Sequence, residues 1–338
     1  MSASGTPLAA RSTAPDRPPA EPPGRVPRGP GLLRLAKDNA VVVCFVALFV
    51  ALSVASRPFL TTANLLNILS QQSFVLIIAV AGTVVLICGG LDISIAAVFA
   101  LSAVVGALTA NHHGTALGVA AGVAVGGVIG LLNGLMTTVG RVNPLIATLA
   151  TSFAVTGLAV IISGGKVIVV EPESWGVLGN SGIGVVRYSI IVTAVFVALV
   201  GLVLNRTVYG RQVFATGGNE EAAWLSGIRT NRVRCVAYVL SGLSAGLGGV
   251  IVSSQVGVGQ AQTGQSLLFT VIAGIVVGGT SILGGEGSVA RTCVGVLLIA
   301  LVNNGFNLLS IDPLYEQIVE GVIILLAVGA DGWTRRTT

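Results

Sequence analysis

Charge is what this sequence most lacks: 9% of its 338 residues are Asp, Glu, Lys or Arg, against 53% that are hydrophobic. So few polar side chains could not coat a water-soluble globule, which makes the bilayer the natural solvent. Histidine is nearly absent, with only His112 and His113, and the four cysteines (Cys44, Cys88, Cys235, Cys293) form neither a C-x-x-C pair nor a Cys/His cluster. They read as small buried hydrophobes rather than metal ligands. Proline is scarce after residue 31, where only four of the twelve remain, and the first 31 residues hold no apolar run that could form a signal-peptide core. The net charge of +5 is concentrated in that N-terminal tail and in the interval 205–234, which argues against nucleic acid as a partner.

What is abundant is apolar sequence in long runs. About 20 apolar residues span the hydrocarbon core, and shorter runs suffice where helices are broken or buried among others. Ten such runs are present, at roughly 40–56, 66–88, 95–110, 116–138, 145–163, 188–204, 234–254, 267–283, 289–309 and 314–330. Ten crossings from an N-terminus inside place fifteen of the eighteen Lys and Arg residues on the inner side, leaving Arg57, Lys166 and Arg187 outside. One span more or fewer would swap every later loop, so the count and the orientation support each other. The expected class is an all-α polytopic membrane protein of about ten transmembrane helices. Residues 1–36 read as a disordered Pro/Arg-rich cytoplasmic tail, 37–332 as the transmembrane domain with a long inner loop at 205–233, and 333–338 as a cytoplasmic C-terminal tail.

Glycine totals 46 residues and recurs at Gly118, Gly122, Gly126, Gly130 and Gly134, every fourth position along one helix face. That face suits close helix contact, within the subunit as the favoured reading or against a second copy. Gly242-Leu243-Ser244-Ala245-Gly246 fits the G-x-S-x-G nucleophile elbow, but it lies inside an apolar span, and the only histidines are on an outer loop. Packing by small residues is the better reading, and an intramembrane serine protease a poor one. There is no G-x-x-x-x-G-K-[ST] loop, and Gly284-Gly285-Glu286-Gly287-Ser288 has no lysine to reach a phosphate. If ATP drives the protein, another chain binds it. Gly89-Gly90-Leu91-Asp92-Ile93-Ser94 resembles that second segment in glycine pair, acid and serine; tight turns with a helix-capping serine are slightly favoured over contact with a solute.

The clearest signal lies in the long inner loop, Gly217-Gly218-Asn219-Glu220-Glu221-Ala222-Ala223-Trp224-Leu225-Ser226-Gly227. Asn219 is a natural N-cap, Glu220 and Glu221 suit the positive end of a helix dipole, and Gly227 can close the C-terminus. A short exposed helix follows, able to dock in a partner's groove or, more blandly, to lie on the lipid through Trp224 and Leu225. Glu221-Ala222-Ala223 with Gly227 resembles the EAA-x3-G loop of ABC importer permeases. Gly90 to Ser94, Asn143-Pro144-Leu145-Ile146-Ala147-Thr148-Leu149, Tyr209-Gly210-Arg211, Gly278-Gly279-Thr280-Ser281 and Asn303-Asn304-Gly305-Phe306-Asn307 are similar, in order and spacing, to the ribose permease family. The likeness runs from about residue 40 to 331.

That resemblance implies two permease subunits, expected to be identical, around a central path in a bacterial plasma membrane. It further implies an ABC ATPase subunit below, a substrate-binding protein above, and a sugar or sugar-like cargo. ATP and Mg would sit on the ATPase, with no cofactor on this chain. Gly218, Asn219, Glu220, Glu221, Ala222, Ala223 and Gly227 would form the coupling segment. One departure stands out: where the family often carries acids entering the eighth span, this chain has Leu268-Phe269-Thr270.

A sugar needs hydrogen-bond partners but no fixed charge, so amides suit its path. Asn133, Asn303, Asn304 and Asn307 lie in or near apolar spans, and Asp92, Ser94 and Asn143 complete the candidates. Bonding between neighbouring helices is an equal reading of such asparagines. Glu316 and Glu320, one turn apart, would suit a proton-coupled secondary transporter instead. A receptor or scaffold without transport would need no aligned polar groups.

Overall fold

A computed structural model of the protein describes residues 40–312 except 265, and the isolated positions 315, 318, 319, 321, 322 and 325. The proline-rich tail, most of the expected tenth span, Glu316, Glu320 and the C-terminal tail lie outside the described residues. Among the described residues six helices are long and apolar enough to cross a membrane, and a bent helix pair makes seven if it is counted as one span.

The chain begins with α1 (Ala40–Ala55), followed by α2 (Thr62–Gln71) and α3 (Ser73–Ile87). Three long helices come next: α4 (Ile95–His113), α5 (Thr115–Thr138) and α6 (Pro144–Ser163). A short α7 (Val177–Asn180) precedes α8 (Tyr188–Arg206), α9 (Val208–Gly218), α10 (Glu220–Leu225) and α11 (Thr230–Val256). The last described helices are α12 (Leu267–Val277) and α13 (Val289–Leu308).

The bundle is built around α3, in which every residue from Val75 to Ile87 is buried. A helix apolar on all sides belongs at a centre, and α8, α11, α12 and α13 pack around it. At the periphery α5, α6 and α8 turn Leu131, Leu132, Phe153, Ile161 and Leu199 outward, as a lipid-facing surface requires.

The glycine face of α5 is internal. A Cβ on Gly126 would run into the Gly242 carbonyl of α11, one on Gly130 into the Tyr238 carbonyl, and one on Gly134 would lie 2.8 Å from Cys235 Sγ. The G-x-S-x-G pentapeptide is the other half of this seam, since Gly242 and Gly246 face Gly126 and Gly122.

Three features depart from expectation. The second span is broken at Gln72 and bent by 48°. The Ser70 carbonyl freed there is met from distant sequence by Gln255 Nε2 at 2.9 Å, and Thr193 Oγ1 donates to the neighbouring Ser73 carbonyl at 3.1 Å. The eighth span is an 11-residue helix, shorter than 267–283, because Gly279 turns into the left-handed region after Val277. Of the cysteines expected to be buried only Cys88 is: Cys44 is exposed on α1, whose apolar flank turns outward, and Cys235 and Cys293 are half-buried; all four are free thiols.

The link between α6 and α8 is a folded cap. Strand β1 (Ile168–Val169) pairs antiparallel with β4 (Val258–Gly259), while β2 (Gly182–Ile183) pairs with β3 (Val186–Arg187). Trp175 is buried beneath it and donates its indole N–H to Ser253 Oγ at 3.2 Å.

Candidate functional site: a capped, exposed helix and a buried polar cluster

At one end of the bundle, the loop after α8 folds into two helices. The first, α9, was not foreseen; Thr207 starts it by accepting the Gly210 N–H at 3.3 Å. The second, α10, has the expected punctuation, with Asn219 Oδ1 accepting the Ala222 N–H at 2.9 Å and Gly227 at φ +85° closing the following turn. Ala223 is buried, whereas Trp224 and Leu225 are 65% and 71% exposed, so α10 leans on the bundle by Ala223 and presents its large residues outward. Glu220 fixes its direction by accepting from Arg234 Nη1 at 3.0 Å and Nη2 at 2.8 Å. A cleft of about 580 Å³ opens beside α10, lined by Thr137, Arg141, Asn143, Glu221 and Arg234 among others.

Behind α10 the ends of three segments meet at glycines. The Ile87 carbonyl at the end of α3 accepts the Gly285 N–H at 2.9 Å. A Cβ on Gly217 would collide with that carbonyl, and one on Gly285 would lie 2.9 Å from Gly218 Cα. The close packing falls on Gly217 and Gly285, since a Cβ on Gly218 itself would meet open space. The likeness of the 89–94 and 284–288 segments is thus spatial as well: a Cβ on Gly284 would stand 3.0 Å from Gly89 Cα.

From this junction the chain enters a buried polar cluster. Asp92, only 7% exposed, accepts from Ser94 N and Ser94 Oγ on Oδ1 at 3.0 and 2.6 Å, and from Ser241 Oγ on Oδ2 at 2.7 Å. Asn133 Nδ2 donates to Ser94 Oγ at 2.8 Å, and Thr151 Oγ1 donates to Asn133 Oδ1 at 2.7 Å. Tyr238 donates its hydroxyl to the Leu91 carbonyl at 3.2 Å. The cluster thus links the start of α4 to α11 through Asp92, and to α5 and α6 through Asn133 and Thr151. Ser94 does not cap α4 with its side chain, as a tight-turn reading expects, because its hydroxyl is given to Asp92; Ser288 likewise makes no side-chain cap on α13.

The seven path candidates fall in three places. Asp92, Ser94 and Asn133 come together in this cluster. Asn143 is exposed at the N-cap of α6, where its Oδ1 accepts from Leu145 N at 2.9 Å beside the α10 cleft. Asn303, Asn304 and Asn307 lie on α13: Asn304 and Asn64 exchange amide hydrogen bonds at 2.9 and 3.2 Å, and Asn307 donates to the Asn303 carbonyl at 3.0 Å. The buried Asn303 Oδ1 has no partner among the described residues. At the start of α12, Leu268 packs on the main core and Phe269 is exposed.

Ser241, Tyr238, Arg234 and Thr151 belong to the site and were not singled out from sequence. The available signal was the spacing of Arg234, Tyr238 and Ser241, which places three polar groups on one face of an otherwise small-residue and apolar helix.

A multi-pass bundle with a capped, outward-facing helix at one end and a hydrogen-bonded carboxylate inside is a membrane transport component in architecture. The chain belongs to the family described as branched-chain amino acid transport system / permease component, which it matches over residues 64–328. It is 39% identical over 288 residues to a ribose import permease protein of Bacillus subtilis (strain 168), covering 84% of this chain and 89% of that one. It is 36% identical over 306 residues to an L-arabinose ABC transporter permease protein of Azospirillum brasilense, covering 90% of each. A ribose import permease protein of Escherichia coli (strain K12) is 36% identical over 300 residues, covering 87% and 93%. No solved structure matches the chain.

Proposed function

We propose that this chain is the membrane-spanning permease subunit of an ATP-driven importer of a sugar or sugar-like solute. The observation that carries the proposal is α10: a helix capped by Asn219, tethered by Glu220, and offering Trp224 and Leu225 to a partner, in a chain of this family. A helix held in direction but bare on its outer side suits a groove on a separate ATPase, which would hold ATP and Mg. Coupling is assigned to Gly218, Asn219, Glu220, Glu221, Ala222, Ala223 and Gly227.

In this reading the chain crosses a bacterial plasma membrane ten times with both termini in the cytoplasm, α10 on the cytoplasmic side and the Trp175 cap outside. Counting the six long helices, the bent pair as one span and the shorter α1 and α12 gives nine crossings; the expected tenth, 314–330, lies largely outside the described residues. A second copy completes the path and a substrate-binding protein delivers the cargo to the outer face. The sugar class rests on the ribose and arabinose relatives.

Docking of α10 is tested by cross-linking. In a background with the four cysteines replaced, Trp224→Cys and Leu225→Cys should each form a disulfide with a cysteine scanned along the ATPase groove, while Phe153→Cys should not. Equal capture at all three positions, or capture at none in an assembled complex, would overturn the assignment.

A further inference from the structure

Arg234, Tyr238 and Ser241 stand at spacings of four and three residues on α11. Such positions share one stripe of a helix, here about 10 Å long at 1.5 Å per residue. Each member of the stripe reaches off its own helix. Arg234 grips Glu220 of α10 through two hydrogen bonds, Tyr238 donates to the Leu91 carbonyl, and Ser241 donates to Asp92. The coupling helix and the buried carboxylate are therefore joined through less than two turns of one helix.

That helix is poorly able to bend between its two ends. Over the same residues α11 lies against α5 with Gly126 and Gly130 pressed on the Gly242 and Tyr238 carbonyls, so a tilt of α11 carries α5 with it. Asn133, which donates to Ser94, is on α5. A shift of α10 would thus reach the Asp92–Ser94 pair from two sides, through Ser241 and through Asn133.

The chemistry of the contacts suits positioning more than folding. Glu220 is half-exposed, and an ion pair open to solvent adds little stability. A two-bonded Arg–carboxylate pair does, however, fix the mutual direction of its partners. The donation from Ser241 is buried and directed at one oxygen of the only carboxylate in the cluster.

We infer that the α11 stripe transmits the movement of α10 to the Asp92 loop, with Arg234 and Ser241 as positioning residues. The inference rests on the proposed importer function. Spatial intermediacy alone does not establish coupling, so the test measures coupling itself.

The complex of this chain with its ATPase and binding protein is reconstituted in proteoliposomes, and uptake of labelled D-ribose and L-arabinose is followed together with ATP hydrolysis. Arg234→Ala and Ser241→Ala should each lower solute moved per ATP about fivefold or more, a typical span for coupling between sites, with the ATPase still bound. Glu220→Arg combined with Arg234→Glu should restore the ratio to near the wild type. A purely structural role would lower the yield of complex but leave that ratio unchanged in what assembles, and would overturn the inference. If Arg234→Ala does not assemble, Ser241→Ala decides alone by the same ratio. A wild type that moves neither sugar with ATP would instead overturn the importer reading, and the inference with it.

Discussion

At the scale of single residues, the chain's treatment of Asp92 is the feature most in need of a cause. An ionised carboxylate is costly to bury unless hydrogen bonds satisfy it, and here Ser94 donates twice and Ser241 once. Asp92→Ala removes both acceptor oxygens and leaves the buried Ser94 and Ser241 donors without them. The expected cost is about 1–3 kcal/mol, read as a lower midpoint in thermal unfolding of the purified protein. Thr151→Val removes the donor to Asn133 Oδ1 and should cost less, about 0.6–1.7 kcal/mol, within the range found for hydrogen bonds between membrane helices. Asp92, Ser94 and Asn133 were legible in the sequence because polar side chains are conspicuous among apolar ones. Ser241 and Thr151 were not, since small hydroxyl residues are common in spans and only tertiary structure shows which of them face a carboxylate.

At the scale of elements, local rules and distant partners divide the outcome. The start and end of α10 are set by residues inside the segment itself, by the Asn219 cap and by Gly227, and they could be read directly. Asn219→Ala should loosen α10 by about 1 kcal/mol and Asn219→Gly by only a few tenths, seen as faster amide exchange over Glu220–Leu225 in the first variant alone. The seam of α5 was also legible, because a four-residue glycine repeat has few uses other than close approach. Gly126→Leu should abolish the folded protein, as its side chain would occupy the place of the Gly242 backbone, while Gly157→Ala, with open space around it, should leave the yield unchanged. The break at Gln72 had no such local mark. Gln255, far along the chain, donates to the Ser70 carbonyl that the bend releases, while Arg187 and Thr193 donate to the Ser70 hydroxyl and the Ser73 carbonyl beside it. The Trp175 cap was likewise hidden, since its two-residue strands carry no periodicity and β1 pairs with β4 across about ninety residues of sequence.

At the scale of the whole molecule, hydropathy set the class and the order of the helices, because a bilayer admits little else. The short α12 shows where that reading stops, since an apolar run does not reveal whether it is one helix or a half-helix followed by a glycine turn. The fold places an outward-facing helix at one end and a satisfied carboxylate within, with family membership supplying the context of transport. The central claim is that ATP hydrolysed on a partner moves solute through this chain. It is tested most directly by uptake of labelled D-ribose and L-arabinose into proteoliposomes holding the chain, its ATPase and its binding protein, with ATP or a proton gradient as the only energy source. The account predicts uptake with ATP alone, lost in Glu221→Ala combined with Gly227→Pro; uptake driven by the proton gradient without ATP would contradict it and turn attention to Glu316 and Glu320.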